Sequence, residues 1–363
     1  MKTISVKLRE RSYDIRIGVG SVDELGTLAR EALGESARRA ILVTNARVAG
    51  LYGQRCRHAL RAADFITNQF LIGDGERFKT LRSAESLLTF MIERGIERGD
   101  VVVGLGGGVV GDLAGFAAAV HLRGIRLIHV PTTLLAQIDS SVGGKTGVNH
   151  RLGKNLIGAF HQPSLVAIDP ETLRTLPRRE MRSGLYEALK YGVISDARLF
   201  RRIARETNRL INCDADELVH LIARSCSIKA TVVSRDEREA GLRKALNFGH
   251  TVGHALEAVT NYRRFLHGEA VGHGMRTAAR IAERLRLLAP CDRKTIDDAV
   301  ERVGHLPAAN TLALDAIISA MYHDKKAEAG RISFVLPVEI GRVVINSDVP
   351  PRVVRSALKD ALA

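Results

Sequence analysis

Side chains able to bind metal and move protons concentrate in one stretch, RKALNFGHTVGH (243–254). Read as a helix, it puts Asn247, His250 and His254 at i, i+3 and i+7, with Arg243 one turn earlier, so all four share a face. Four polar groups in one stripe are costly to bury without a purpose. Two histidines four residues apart can hold one metal ion. Thr251 stands where an H-E-x-x-H protease carries its glutamate base, which argues against proteolysis. His267 opens a further helix-like stretch, HGEA, while Glu187 and Lys190 lie at i and i+3 in GLYEALKYG. One glutamate with two histidines would leave a coordination position open, as catalytic zinc requires. Spacing alone leaves open which histidines bind.

Two glycine-rich stretches could meet phosphate. DVVVGLGGGVVGD (100–112) places Gly106, Gly108 and Gly111 in the order G-x-G-x-x-G, after a strand and before a helix. Glycine lets the backbone approach a pyrophosphate, and the helix N-terminus favours its charge. No ribose-binding acid follows about 20 residues on, where a standard dinucleotide fold has one. DSSVGGKTGVNHRLGKN (139–155) combines glycines, hydroxyls and the lysines Lys145 and Lys154 in what reads as a loop. It lacks P-loop spacing, but lysine beside backbone N–H groups suits phosphate or carboxylate.

The elements that must position these groups fall into two patterns. Short apolar runs (40–44, 68–72, 101–104, 127–130 and 165–168) alternate with helical stretches such as 83–93, which predicts a parallel sheet covered on both faces. From Pro177 onward, helical stretches dominate (181–194, 197–208, 216–234, 246–259, 267–288), with a small hairpin expected near 332–336. The expected architecture is therefore α/β plus α: a Rossmann-like parallel-sheet domain over 1–176, then a mainly helical domain over 177–363.

With 45% hydrophobic and 26% charged residues, the composition is that of a globular chain. The net charge of +14 is spread in short arginine doublets with few interleaved aromatics. That distribution suits an anionic small molecule better than a nucleic acid. The segment 101–120 imitates a membrane span, but its six glycines argue for strand, turn and helix, so no membrane is expected. Four dispersed cysteines without a Cys-x-x-Cys pair fit free thiols in the cytoplasm.

Taken together, the motifs resemble 3-dehydroquinate synthases, members of the sugar phosphate cyclase family. The resemblance is carried by DGERFK (74–79), GGGVVGDLAGF (106–116), VPTTLLAQIDSSVGGKTGVN (130–149), GKNLIGAFHQP (153–163), the E-x-x-K of Glu187 and Lys190, DERE-x-GLR (236–243), LNFGHTVGHA (246–255), HGEAVGHGM (267–275) and DKK (324–326). It implies a homodimer that uses NAD and one divalent metal, Zn2+ or Co2+, held by Glu187, His250 and His267. His254 would then be catalytic, not a ligand.

NAD would meet Asn45, the run Asp74, Gly75, Glu76, Arg77, Phe78 and Lys79, and the turn Gly108, Val109, Val110, Gly111 and Asp112. Thr132, Thr133, Lys145, Lys154, Thr172, Leu173, Arg174 and Thr175 would complete its contacts. The substrate would be held by Arg123, Lys145, Lys190, Lys229, Arg243 and Asn247, with Glu239 as proton acceptor. A lysine of DKK, Lys325 or Lys326, would also enter. His121-Leu122 departs from the family's usual apolar pair before Arg123.

The reaction implied turns 3-deoxy-D-arabino-heptulosonate 7-phosphate into 3-dehydroquinate, a shikimate-pathway step toward aromatic amino acids. It proceeds by transient oxidation, phosphate elimination, re-reduction and intramolecular aldol closure, with no net change in NAD. The alternative is a metal-dependent alcohol or glycerol dehydrogenase of similar plan, which would accumulate NADH.

Overall fold

Aliphatic, largely β-branched runs build a seven-stranded sheet in a computed structural model that describes residues 1–239, 241–323, 327–328 and 331–363. Lys325 and Lys326 lie outside the described residues. The strands are β1 (Lys2–Val6), β2 (Tyr13–Ile17), β3 (Arg39–Asn45), β4 (Ile66–Ile72), β5 (Val101–Gly106), β6 (Arg126–Pro131) and, after a separate hairpin of β7 (Lys145–His150) with β8 (Gly153–Phe160), β9 (Leu165–Ile168). Their order in space is β1-β2-β9-β6-β5-β3-β4, antiparallel for β1 with β2 and parallel for every other pair. The helices of this part are α1 (Leu25–Leu33), the short α2 (Ala46–Val48), α3 (Gln54–Ala62), α4 (Leu81–Glu93) and α5 (Gly108–Val120).

Burial on both faces explains why these strands lack polar alternation. On β3, Ala40 and Leu42 join Leu25, Leu28 and Leu60 on one side, while Ile41 and Val43 join Leu87, Met91 and Leu113 on the other. On β5, Val101 and Val103 face the first cluster and Val102 the second. Each fully buried valine contributes about 1.5–3 kcal/mol. The stretch 139–155, expected to be a loop, instead supplies β7 and the start of the hairpin. A Cβ on Gly158 would lie 2.2 Å from the Thr146 carbonyl oxygen. Only glycine permits that approach, so residues that read as loop formers build a close-packed ribbon.

The remaining elements are α6 (Arg178–Ser195), α7 (Ala197–Ile211), α8 (Ala215–Arg235), α9 (His250–Val259), α10 (His267–Arg284), α11 (Pro290–Val303), α12 (Leu314–His323) and α13 (Pro351–Leu362). With them are the two-residue strands β10 (Ala327–Glu328) and β11 (Arg331–Ile332), and a hairpin of β12 (Phe334–Glu339) with β13 (Arg342–Asn346). The chain divides into two compact units, Met1–Leu176 with Leu218–Arg238, and Pro177–Glu217 with Glu239–Ala363. Most of α8 thus groups with the sheet-bearing unit, although its sequence lies inside the expected helical domain 177–363. Its anchors there are non-local: Cys226 Sγ donates to the Gln137 carbonyl, and Ser234 Oγ accepts from Lys7 N at 3.1 Å.

Two buried histidines make stability sensitive to acid. Burial lowers the pKa of His129 on β6 to about 4, and the neighbouring His161 acts in the same direction. Burial also lowers His273 on α10 to about 4, outweighing its contact with the Pro307 carbonyl. Both protonate near 6.5 once unfolded, so their contribution is complete above pH 6.5 and is lost as pH falls toward about 4. Each is expected to remove up to about 3 kcal/mol over that window. His129→Leu should flatten the acid limb of a denaturation series; an unchanged slope would mean that His129 does not stay neutral in the fold.

Candidate active site

Glu187, in the middle of α6, is completely buried. Its Oε1 lies 3.6 Å from His250 Nε2 and 3.7 Å from His267 Nε2. These separations are too long for hydrogen bonds. They suit donors sharing one ion, since ligand atoms bound at about 2.1 Å around a tetrahedral metal sit about 3.4 Å apart. Neither carboxylate oxygen is satisfied by a hydrogen bond among the described residues. Lys190 Nζ lies 2.5 Å from Oε2 but off hydrogen-bond alignment, so it balances charge without completing the carboxylate's coordination. A buried carboxylate left in this way is costly, and a cation between it and the two imidazoles would remove the cost.

The outer contacts settle which imidazole nitrogen faces inward. His250 Nδ1 lies 3.1 Å from the Phe248 carbonyl oxygen, and His267 Nδ1 lies 3.1 Å from Glu257 Oε2. Carbonyl and carboxylate oxygens only accept, so each Nδ1 carries the proton and each Nε2 lone pair points toward Glu187. Burial pushes the His267 pKa down, but the Glu257 and Glu187 carboxylates outweigh it and leave it raised. The His254 ring stands edge-on to His250 at 5.4 Å between centroids and 6.0 Å from His267. His254, Glu257 and His267 form a second group with metal-ligand proximity.

Glycines and one cap bring these elements together. Gly249 adopts φ +79 immediately before α9, and a Cβ on Gly274 of α10 would lie 1.8 Å from its carbonyl oxygen. A Cβ on Gly268 would lie 1.9 Å from the Ser183 carbonyl, and Gly268 N donates to Ser183 Oγ at 3.0 Å. Thus α10 touches both α9 and α6 at backbone distance, with His267 as its first residue. Glu269 fixes that start: its Oε2 accepts from Leu266 N at 2.8 Å, while Arg179 grips both of its oxygens at 2.7 and 2.8 Å.

The single helical face expected for Arg243, Asn247, His250 and His254 does not form. Left-handed Gly249 separates a 3₁₀ turn, Leu242–Asn247, from α9, so only the two histidines share a helix. Arg243 is buried on the turn, and Asn247 Nδ2 donates to Glu239 Oε1 at 2.9 Å. Glu257 escaped notice, although it lies at i+7 from His250 and i+3 from His254, a spacing that marks the same face.

In the first unit, Gly107 caps α5, whose first turn, from Gly108 to Gly111, carries no acidic side chain and suits an anion. Asn45 caps α2 by accepting from Val48 N and donates to Asp74 Oδ1 at 3.0 Å. Buried Lys79 bonds Asp112 and, at 2.5 Å, Asn155 Oδ1. Lys154 approaches Glu76 at 3.9 Å, and Arg77 packs over Phe78. Thr132 N donates to the Gly106 carbonyl, and Thr133 Oγ1 accepts from Ala136 N.

Thr172, Leu173, Arg174 and Thr175 end a 3₁₀ turn, Pro170–Thr175, where Tyr52 OH contacts both Thr172 O and Thr175 Oγ1. Gln137, unmarked in the sequence, ties this turn to β6: its Nε2 donates to Pro131 O, Asp169 O and Thr172 Oγ1. Lys229, on the part of α8 in this unit, bonds Asp139 Oδ1 at 2.6 Å and its carbonyl at 2.7 Å. Arg123 is exposed at φ +68, and Lys145 is exposed at the start of β7. Val109 and Val110 lie in the first turn of α5, with Val110 in the core.

The four cysteines are free, and burial pushes the Cys56 and Cys226 thiols up to about 12, which argues against either as a nucleophile. No described helix is long and apolar enough to cross a membrane.

The profile of the 3-dehydroquinate synthase N-terminal region matches residues 69–183, and that of the C-terminal region matches 184–327. A 3-dehydroquinate synthase of Gloeobacter violaceus is 50% identical over 360 residues, covering 99% of each chain. Among solved structures, a 2-epi-5-epi-valiolone synthase of Streptomyces hygroscopicus with NAD+ and Zn2+ bound is 30% identical, covers 98% of each chain and superposes with a TM-score of 0.89. A 2-deoxy-scyllo-inosose synthase complexed with carbaglucose-6-phosphate, NAD+ and Co2+ is 26% identical, with 99% coverage of each chain and a TM-score of 0.89. With two profiles spanning most of its length and a relative that shares half its residues end to end, the chain belongs to the 3-dehydroquinate synthase family.

Proposed function

We infer that this chain converts 3-deoxy-D-arabino-heptulosonate 7-phosphate to 3-dehydroquinate and phosphate. It acts as a carbon–oxygen lyase that depends on NAD and one divalent metal, as a homodimer in the cytoplasm. The observation that carries the reading is Glu187, buried with two unsatisfied oxygens and facing two imidazole nitrogens. Full-length relatives with this activity supply the substrate, and the solved cyclases with NAD+ and Zn2+ or Co2+ supply the cofactors.

Glu187, His250 and His267 would hold the metal; a set of two nitrogens and one oxygen accepts zinc or cobalt. The glycine turn 106–108, the start of α5, Asn45, the 74–79 run and the Thr172–Thr175 turn would hold NAD. When bound, the metal supplies Lewis acidity toward substrate hydroxyls, and NAD a reversible hydride acceptor. Lys190, Lys229, Arg243, Arg123 and Lys145 would bind and orient the carboxylate and phosphate of the substrate, which is the larger part of the protein's work. His254, against both ligand imidazoles, would exchange a proton with a substrate hydroxyl. Glu239, held by Asn247, would accept one.

Inorganic phosphate release, followed together with the absorbance of reduced cofactor, tests the assignment. Many turnovers of phosphate without lasting NADH are expected, lost on chelation and restored by zinc or cobalt. Lasting NADH without phosphate would identify a dehydrogenase of the same plan instead.

A further inference from the structure

Glu257 is outside the ligand set and outside the reaction, yet its carboxylate is buried beside the site. It projects from the same face of α9 as His250 and His254, and its Oε2 meets His267 Nδ1 at 3.1 Å. The two ligand imidazoles are thus supported unequally: His250 by a neutral backbone carbonyl, His267 by a charged side chain. His267 is also the first residue of its helix and the more exposed of the two, with a side chain 28% exposed against 10%. The ring with less packing around it is the one held by a carboxylate.

We propose that Glu257 is a positioning residue that takes the His267 Nδ1–H, fixes the ring with Nε2 toward Glu187, and strengthens that nitrogen as a metal ligand. This rests on the ligand reading of Glu187, His250 and His267. A carboxylate behind a ligating imidazole raises its basicity and locks its tautomer, and loss of such a partner weakens metal binding by about 10–100-fold. The competing role, Glu257 as a ligand with His254 and His267, fits less well. The 3.1 Å contact is a hydrogen bond already made, whereas the 3.6 and 3.7 Å contacts to Glu187 leave room for an ion.

Zinc affinity, measured on the metal-free protein by competition with a chromophoric chelator, tests this. Wild type is expected to take up one equivalent. Glu257→Gln, which keeps an acceptor but loses the charge, should bind about 10-fold more weakly, and Glu257→Ala about 100-fold more weakly. The metal-free Gln variant should still unfold in one cooperative transition, and its kcat at saturating zinc should return to within a few-fold. Unchanged affinity in the Gln variant would overturn the proposal, even if the Ala variant failed to fold. Complete loss of zinc, equal to that of Glu187→Gln, would make Glu257 a ligand and overturn it as well. Failure of wild type to bind zinc would instead remove the ligand reading beneath it.

Discussion

Glu187→Gln is expected to lose its bound metal and to lower turnover by about a thousandfold or more. The Lewis acidity of a bound metal supplies several kcal/mol of transition-state stabilisation, and each step of about 1.4 kcal/mol is tenfold in rate. An amide keeps the shape of the side chain but offers the ion no charge. The substitution has a second effect, because Lys190 is 1% exposed with its ammonium 2.5 Å from Oε2. Removing one member of a buried ion pair costs about 3–5 kcal/mol in general, and here it takes from the buried Lys190 ammonium a carboxylate 2.5 Å away. The single variant should therefore also unfold more readily. Glu187→Gln combined with Lys190→Met should recover part of that stability while recovering no metal. Metal content after dialysis, phosphate release and denaturation midpoints separate the two effects. A Glu187→Gln protein that retained one equivalent of metal and full turnover would sink the assignment.

How much of this was legible in the sequence depended on whether the deciding contact was local. The strands were legible because two-sided burial leaves them continuously apolar, as in Val101 to Val103. The glycine turn before α5 was legible because its constraint lies within a few residues. The shared face of Arg243, Asn247, His250 and His254 failed at one residue. Helical spacing assumes an unbroken helix, and Gly249 at φ +79 breaks it. The hairpin of β7 and β8 was hidden because glycine serves both loops and close backbone contacts, and only the partner strand tells which. The grouping of α8 with the first unit rests on contacts such as Cys226 to Gln137, which nothing in the helix itself announces. Gln137 and Glu257 were missed for different reasons. Gln137 works through the Asp169 carbonyl and the Thr172 hydroxyl, both distant in sequence, whereas Glu257 obeyed a visible i+7 spacing from His250 that ligand spacing alone does not single out.

The same dependence on non-local contact makes Gly274→Ala the sharpest test of how the ligands are brought together. Helix propensity alone predicts a gain, since alanine is better than glycine inside a helix by about 1 kcal/mol. The new methyl group, however, would lie 1.8 Å from the Gly249 carbonyl oxygen and 2.7 Å from its carbon. Those are backbone atoms, so no rotamer change can relieve the overlap, and α9 and α10 must separate. Overpacking of this kind costs about 3 kcal/mol, which exceeds the propensity gain, so the net effect is expected to be destabilising by about 2 kcal/mol or more. Gly272→Ala on the same helix is the control. Its nearest obstacle is Leu306 Cδ2 at 2.9 Å, the end of a side chain that can turn away, so its net change should stay within about 1 kcal/mol of zero. Because Gly249 directly precedes His250, separating the helices also moves His250 away from His267. Gly274→Ala should therefore bind zinc more weakly, while Gly272→Ala should not. Equal stability and equal zinc affinity in the two variants would show that backbone contact between α9 and α10 does not set the spacing of the metal ligands.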